Sequence, residues 1–299
     1  MLLEEMNSFK NKLKILVRNL NYFISLFIKN EYPKKNILKS RLNITKLSNN
    51  VKFQNDCNDN LLLSSDYHKV TKSRYHEFVK TIQYFEDSKV YFSSHRNRDN
   101  YMKKFWGDHY IFDVYSNCIF HQAKSDIFRY CFVYDNGGFW MDFKSSINFN
   151  IKDLISDNQE ALFVIGPELI REKDRNTFEK KELEILDNRY LINWFFWTKR
   201  KSQIFLDLIN KISEDSELYK NKVFSDPKHA ILNLTGPIQI SKVVTNYLIS
   251  NENKTTNLKL INEKDYEFIY TTEYSRNFTI FDNVTKKHYS QMKNSKILK

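Results

Sequence analysis

The sequence predicts an α/β domain with a mostly parallel sheet, preceded by a helical extension. The 299 residues are 41% hydrophobic and include 24 Phe and 18 Tyr, enough bulky apolar surface to bury a large core. Helical patterns and short apolar strand patterns alternate along the chain, as they do in βα units. Only 5 Gly and 4 Pro occur, too few for the many tight turns of an all-β fold.

The first predicted element is an amphipathic helix from Leu13 to Ile28, whose apolar residues recur at helical spacing. Charged and Asn residues interrupt this stripe, so we expect no transmembrane helix, and no signal peptide is predicted. Two alternatives stay open: the helix lies on an anionic membrane surface, or it packs on protein. Residues 1–50 are predicted to form this extension and a connector, and residues 51–299 the main domain.

Strands and helices are predicted to alternate through the main domain. The predicted strands are Val51–Phe53, Lys89–Phe92, Phe139–Met141, Leu162–Ile165, Glu267–Tyr270 and Phe278–Phe281. The predicted helices are Lys72–Phe85, Arg98–Trp106, Ala123–Tyr134, Ser202–Ile212 and Ile238–Leu248. Open α/β sheets bind ligands at the carboxyl ends of their strands, so a functional site is expected at that edge.

Net charge, cysteine spacing and absent motifs indicate which partners, which compartment and which enzyme classes to expect. The net charge of +11 favours anionic partners such as phosphates, acidic lipid headgroups or nucleic acid. Cys57, Cys118 and Cys131 show no C-x-x-C spacing, which predicts neither a disulfide framework nor a cysteine zinc site. A reducing, cytoplasmic compartment is therefore expected. The absence of P-loop, H-E-x-x-H and G-x-S-x-G patterns excludes P-loop NTPases, zincins and serine hydrolases of the usual type.

The stretch from Ala123 to Lys144 carries the chemistry. Asp126 and Arg129 are three residues apart on a predicted helix, so they are neighbours and are expected on a polar face beside a site. Gly137 suits the left-handed position that ends a helix, and the apolar run after Gly138 suits a buried strand. Asp142 then lies at the carboxyl end of that strand.

This stretch resembles the DXD-type sugar transferases of glycosyltransferase family 32. The family's pattern is approximately Ala-x-Lys-x-Asp-x-x-Arg-Tyr, an aliphatic run, Gly-Gly, an aromatic pair and Asp-x-Asp. The chain follows this pattern in order with Ala123, Ser125, Asp126, Arg129, Tyr130, Gly137, Gly138, Phe139, Trp140 and Asp142, and its spacing from Asp126 to Tyr130 is that of the family. Weaker similarity extends over roughly Tyr67–Leu248, where Thr235-Gly236-Pro237 is similar to a Thr-Gly-Pro motif of the family.

The resemblance implies a single GT-A-like domain, a Rossmann-like fold that binds nucleotide sugars. It implies a retaining hexosyltransferase that moves a hexose from a nucleotide diphosphate sugar to a hydroxyl of a glycan or glycolipid, as in capsule or lipopolysaccharide synthesis. The implied catalytic residues are Asp126, Arg129 and Asp142, and Lys144 is added to them as a candidate from its own charge and position. The implied donor contacts are Ser125, Tyr130, Gly137, Gly138 and Trp140, the last either on the nucleobase or in the core. Residues implied on the acceptor side, or as structural, are Asn193, Trp197, Thr235, Gly236 and Pro237.

The chain departs from the family at Lys144, which stands where the second Asp of Asp-x-Asp is expected. Two readings follow: Asp142 and other groups bind a divalent cation, manganese or magnesium, or the Lys144 ammonium neutralises the diphosphate in place of the metal. Two other functions stay open as alternatives, a catalytically inactive scaffold of the same fold and a basic nucleic-acid-binding protein. No RNP, zinc-finger or helix-turn-helix pattern occurs, so nucleic acid is not the expected partner.

Overall fold

The structure, a computed structural model, describes residues 32–33, 44–46, 61–64, 69–70, 80–81, 83–85, 90–93, 95–143, 145–252, 257–266, 268–270 and 292–299. Its helices are α1 (His95–Trp106), α2 (Tyr110–Asn117), α3 (His121–Asn136), α4 (Glu172–Arg175), α5 (Lys180–Ile185), α6 (Gln203–Asp215), α7 (Pro227–Leu234) and α8 (Pro237–Ser250). Its strands are β1 (Tyr32–Pro33), β2 (Ile44–Lys46), β3 (Leu61–Ser64), β4 (Lys69–Val70), β5 (Val90–Ser93), β6 (Gly138–Asp142), β7 (Ser145–Ile147), β8 (Ala161–Leu169), β9 (Arg189–Thr198), β10 (Val223–Phe224), β11 (Leu258–Asn262), β12 (Phe268–Tyr270) and β13 (Ser295–Lys296).

Several predicted elements lie outside the described residues. They are the amphipathic helix at Leu13–Ile28, the strands at Val51–Phe53 and Phe278–Phe281, and most of the helix at Lys72–Phe85. Strand β2 precedes residue 51 and pairs with β5 in the main sheet, while the predicted domain boundary itself stays a prediction. Within the described ranges, no helix has the length and apolar character needed to cross a bilayer.

Among the described residues, the main sheet has seven strands in the order β11-β8-β9-β6-β3-β5-β2. Strand β9 runs antiparallel to both of its neighbours, β6 and β8, and every other adjacent pair is parallel. The prediction of an α/β fold with a mostly parallel sheet is therefore confirmed. Because β6 and β8 both oppose β9, they run in the same direction, and their carboxyl ends meet at one edge together with those of β3 and β5.

Two hydrophobic cores lie on the two faces of the sheet. The larger core contains the helices α1, α2, α3, α6, α7 and α8, with Trp140 and Phe196 of the sheet. The smaller core packs the other face against β7, β12 and the turn at Ile151–Leu154, and includes Phe139, Phe195 and Trp197. Strand residues therefore alternate between two apolar layers, which explains their continuous apolar runs.

Helix α3 is buried on nearly all sides rather than along one stripe. Residues Asp126 to Val133 are all buried, and Phe128 and Phe132 pack on the outward side against Tyr101 of α1. At its C-terminal end, the buried Asp135 accepts hydrogen bonds from Tyr101 Oη at 2.7 Å and Trp106 Nε1 at 2.8 Å. A helix enclosed in this way has little freedom to shift along its axis, so the residues on it are held precisely.

The Gly137-Gly138 pair turns the chain from α3 into β6. Both residues have positive φ, 69° for Gly137 and 100° for Gly138. The ψ of Gly137 is 178°, so this residue lies in an extended region that only glycine adopts easily, not in the left-handed helical region that the sequence predicted. A Cβ at Gly137 would lie 2.8 Å from the Arg200 backbone nitrogen, so the turn also needs glycine for space.

Candidate active site

Asp126 and Arg129 lie near the middle of α3, on a face that meets Asn193 of β9 and Thr235, the residue directly after α7. Their exposed fractions are only 7% and 5%, which corrects the expectation that they occupy an open polar face. Arg129 Nη2 lies 3.2 Å from Asp126 Oδ1, the i,i+3 pair that helical spacing predicts. Other donors of Arg129 reach backbone carbonyls, Nε at 3.4 Å from Ser125 O and Nη1 in a short contact with Asn193 O.

Asp142 ends strand β6 and meets the same guanidinium. Arg129 Nη2 lies 3.3 Å from Asp142 Oδ1, so Arg129 stands between two carboxylates. Trp140 Nε1 donates to Asp142 Oδ1 at 3.2 Å, and the Arg129 guanidinium lies 5.2 Å from the centre of the Trp140 ring. The Asp142 side chain is 22% exposed, against 10% for that of Asp126 and 6% for that of Arg129. Asp142 is thus the group of the three that solvent reaches most.

Two residues that are distant in sequence also donate hydrogen bonds to the Asp126 carboxylate. Asn193 of β9 donates from Nδ2 to Asp126 Oδ1 at 3.1 Å. Thr235, which follows α7, donates from Oγ1 to Asp126 Oδ2 at 3.1 Å. The Asp126 carboxylate therefore has hydrogen-bond donors on both oxygens, contributed by three separate parts of the chain.

Tyr130 links the same network to the end of α7. The Tyr130 hydroxyl donates to the backbone carbonyl of Thr235 at 2.9 Å, and the side chain is fully buried. Burial raises the pKa of Tyr130, and the negative charge of Asp126 raises it further. Tyr130 is therefore a neutral hydrogen-bond donor that ties α3 to α7.

The remaining predicted site residues lie next to the network, in the hydrophobic cores or outside the described residues. Ser125, Gly138, Gly236 and Pro237 lie next to the network along the chain: Ser125 precedes Asp126, Gly138 begins β6, and Gly236 and Pro237 follow Thr235 into α8. Trp140 is 1% exposed and belongs to the larger core. Trp197 lies in the smaller core, on the sheet face away from Asp126. Lys144 lies outside the described residues.

Gly236 allows α7 and α8 to meet closely. A Cβ on Gly236 would lie 2.8 Å from Leu232 Cα, so a larger residue would push the two helices apart. Pro237 stands in the first turn of α8, where its missing N–H costs no hydrogen bond. The Thr-Gly-Pro sequence thus places Thr235 at a tight helix junction directly above Asp126.

The charges of this network favour particular ligand groups. Asp126 and Asp142 together outweigh the single positive charge of Arg129, so the three side chains carry net negative charge. Carboxylates accept hydrogen bonds from hydroxyl groups and stabilise positive charge that develops nearby. The network therefore suits a polyhydroxylated ligand better than a phosphate, which would have to compete with two carboxylates for Arg129.

The donor set around Asp142 does not fit a divalent cation. Among the described residues, no three His, Cys, Asp or Glu side chains come together as metal ligands. The neighbours of the Asp142 carboxylate include the Arg129 guanidinium and the Trp140 N–H, both hydrogen-bond donors that oppose a cation.

A second polar cluster, which the sequence did not predict, is built around Asp174. Asp174 is 1% exposed, and its Oδ2 accepts from Tyr190 Oη at 2.6 Å and Arg171 Nε at 2.9 Å. Its Oδ1 makes a short contact with His229 Nε2 on α7. Burial raises the pKa of Asp174, but the bonds from Tyr190 and His229 and the charge of Arg171 outweigh burial and lower it overall.

Two elements carry residues of both clusters. Strand β9 holds Tyr190 of the second cluster and Asn193 of the first, and α7 holds His229, with Thr235 directly after it. No short motif marks Asp174 or His229, because they are 55 residues apart and meet only in the fold. For the first cluster, a sequence signal exists in Asn193, a polar residue inside the apolar run of β9.

Neither buried cysteine is a candidate nucleophile. Cys118 and Cys131 are both buried and carry free thiols. Burial raises the pKa of Cys118 to about 12 and places that of Cys131 well above its ordinary value. Because the thiolate is the reactive form, these thiols are inert at neutral pH.

Comparison with known proteins finds no matching family model and no matching curated protein. Among solved structures, a chain titled "PaToxG Glycosyltransferase" is similar with a TM-score of 0.40 and 10% sequence identity, over 66% of this chain and 72% of that one. A similarity this remote identifies neither the fold nor the activity of this chain. Membership of glycosyltransferase family 32 therefore stays a prediction from the Ala123–Asp142 pattern.

Proposed function

We propose that the protein is a glycosyltransferase with a domain of the GT-A type, which moves a hexose from a nucleotide diphosphate sugar to a hydroxyl of a glycan or glycolipid with retention of configuration. The observation that carries this proposal is the joining of Asp126, Arg129 and Asp142 by two ion pairs of 3.2 and 3.3 Å. These residues are the ones that the sequence pattern assigns to sugar transfer. They meet at the carboxyl edge of the sheet, where such folds bind ligands.

In the proposed reaction, Asp142 and Asp126 bind hydroxyl groups of the donor hexose, and Asp142 is the more accessible of the two. As the bond to the diphosphate breaks, positive charge develops at the anomeric carbon, and the net negative charge of the network stabilises it. Arg129 fixes the two carboxylates relative to each other, so little reorganisation is needed during the reaction. The acceptor hydroxyl attacks from the side that the diphosphate leaves, and its proton passes to the departing phosphate.

The leaving diphosphate needs positive charge that Arg129, already paired with two carboxylates, does not supply alone. Lys144 follows Asp142 by two residues and is the group we propose for this role. In this scheme, a lysine ammonium replaces the cation that an Asp-x-Asp pair would hold.

An inactive scaffold is the alternative that the burial of Arg129 favours, because an enclosed ion triad would also stabilise a fold without catalysis. The two functions differ in ligand binding. A glycosyltransferase binds a nucleotide sugar and hydrolyses it slowly without acceptor, whereas an inactive scaffold leaves it intact.

The test is a panel of UDP-glucose, UDP-galactose, UDP-N-acetylglucosamine and GDP-mannose, assayed for binding by calorimetry and for release of free sugar. Asp142→Asn should abolish release, because it removes the negative charge while keeping the shape of the side chain. Asp157→Asn is the matched control, since Asp157 is exposed in the loop before β8. Absence of binding and of hydrolysis across the panel for the wild-type protein would overturn the proposal.

A further inference from the structure

We propose that Thr235 is a positioning residue, whose hydroxyl holds the Asp126 carboxylate in the orientation that receives the donor sugar. This inference rests on the proposed function and deepens it. Thr235 Oγ1 donates to Asp126 Oδ2 at 3.1 Å, while Arg129 and Asn193 approach the other oxygen, Oδ1. Donors on both oxygens restrain the rotation of the carboxylate about its Cβ–Cγ bond, and Thr235 supplies the contact on Oδ2.

The Thr235 hydroxyl has a second possible acceptor, the backbone carbonyl of Ile231, and the two distances show which acceptor is closer. Its Oγ1 also lies 3.3 Å from the carbonyl of Ile231, one turn earlier in the chain, the acceptor that a threonine in a helix commonly uses. The shorter distance is to Asp126. Because Thr235 is completely buried, its hydroxyl donates within the protein rather than to water.

The position of Thr235 is fixed independently of Asp126. Tyr130 donates to its backbone carbonyl at 2.9 Å, and its own N–H donates to Ile231 O at 2.9 Å. At the other end of α7, Asp226 caps the helix, and His229 contacts the buried Asp174. The hydroxyl is therefore presented by a backbone that is held at both ends of a short helix, as positioning of a charged group requires.

The consequence is a defined effect on sugar recognition. A hydrogen bond to a charged group is worth enough to change affinity about 10- to 100-fold. If the Thr235 hydroxyl orients Asp126 toward the sugar, its loss weakens binding of the nucleotide sugar and leaves binding of the free nucleoside diphosphate unchanged. A purely structural role would weaken both or neither.

The experiment compares Thr235→Val, which keeps the shape and removes the hydroxyl, with Thr235→Ser, which keeps the hydroxyl. Affinities for UDP-glucose, or for the panel member that binds best, and for the matching nucleoside diphosphate are measured by calorimetry. The gain from the sugar is the ratio of the affinity for the nucleotide sugar to the affinity for the nucleoside diphosphate. We expect this ratio to fall about 10- to 100-fold in Thr235→Val and to persist in Thr235→Ser.

Thr245→Val is the matched control. Thr245 is also fully buried, and its Oγ1 donates to the Glu182 carboxylate at 2.9 Å, far along α8 from the site. This variant should lose stability as Thr235→Val does and keep sugar recognition. If Thr235→Val does not fold, Thr235→Ala measured against Thr235→Ser carries the same comparison.

The outcomes separate this inference from the proposed function. If wild-type protein binds no nucleotide sugar, the proposed function fails. If wild-type protein binds one and Thr235→Val keeps the full gain from the sugar, the function stands and the role of Thr235 is wrong. Loss of the gain in Thr235→Ser as well would also overturn the role, because the hydroxyl would not be the group responsible.

Discussion

Arg129 and Asp142 form an ion pair, 3.3 Å from Nη2 to Oδ1, that joins helix α3 to the strand that follows it. The two residues are separated by the glycine turn, so the pair closes a loop in which the chain reverses direction. The same nitrogen lies 3.2 Å from Asp126. One buried guanidinium thus holds together the two carboxylates to which we assign recognition of the sugar.

Replacement of Arg129 by Ala is expected to lower the free energy of unfolding by about 3–5 kcal/mol, because two carboxylates then lose their positive partner inside the protein. The sequence alone predicts that this variant loses transfer while the protein stays folded, and the burial of Arg129 adds a loss of stability to that expectation. Denaturation by urea measures the loss. Lys181→Ala, which breaks the exposed Lys181–Glu252 pair, is the control and should change stability by less than about 1 kcal/mol. An Arg129→Ala protein as stable as the wild type would contradict the prediction.

Gly137→Ala is expected to lower the free energy of unfolding by about 1–3 kcal/mol, because the backbone conformation at φ 69° and ψ 178° is strained for any residue with a Cβ. The new Cβ would also meet the Arg200 backbone, which cannot move aside easily. In the control Gly166→Ala, φ is not positive, so the new Cβ meets the γ-methyl of Ile192 without adding backbone strain, and a smaller loss is expected. Thermal and chemical unfolding measure the loss of stability in the two variants. Equal losses in Gly137→Ala and Gly166→Ala would argue against backbone strain at Gly137.

Asp174 is expected to make stability depend on pH in the acidic range. Its pKa in the folded protein is lowered, so its ionised form contributes stability above the ordinary aspartate pKa of about 3.9. That contribution is lost as pH falls through the lowered pKa of the folded state. The difference in unfolding free energy between wild type and Asp174→Asn should therefore be largest near neutral pH and shrink below about pH 4. A difference that stays constant from pH 7 to pH 3 would rule out this linkage.

Lys144 is expected to make sugar transfer independent of added metal. Activity should survive a chelator, and it should collapse in Lys144→Ala, because the ammonium neutralises the leaving diphosphate. Lys144→Asp should recover partial transfer that requires manganese. The control is Lys199→Ala, which removes an exposed lysine at the opposite end of β9 and should keep full activity. Wild-type activity that disappears with chelator and returns with manganese would assign the role to a metal held with Asp142.

The central part of the fold could be predicted because its signals are local. Helix α3, the glycine turn and strand β6 follow one another within Ala123–Asp142, and helical spacing alone makes Asp126 and Arg129 neighbours. The structure confirms these elements, with bounds extended by one or two residues. Burial of the whole helix could not be predicted from its own sequence, because it depends on α1 packing over the outward face.

The contacts of Asp126 with Asn193 and Thr235 depend on the fold as a whole. The sequence analysis did not predict β9 as a strand, since its residues are apolar on both faces and show no simple alternation. It also did not predict α2, a short helix between two longer ones. Only the antiparallel placement of β9 beside β6 brings Asn193 to α3, and no local pattern specifies that pairing.

The position of β9 also has a consequence for the order of assembly. Strands β6 and β8 come earlier in the chain but have no hydrogen bonds to each other, because β9 lies between them. As the chain leaves the ribosome, the sheet stays in two separate pieces until residue 198 has been synthesised. Asp126 and Arg129 are made some sixty residues before Asn193, their contact on β9. These contacts therefore form late, and they depend on a non-local strand pairing of the kind that slows folding. Insertion of β9 therefore joins β8 to the strands made before it, and the environment of Asp126 is complete only after Thr235 has also been made and has packed on α3.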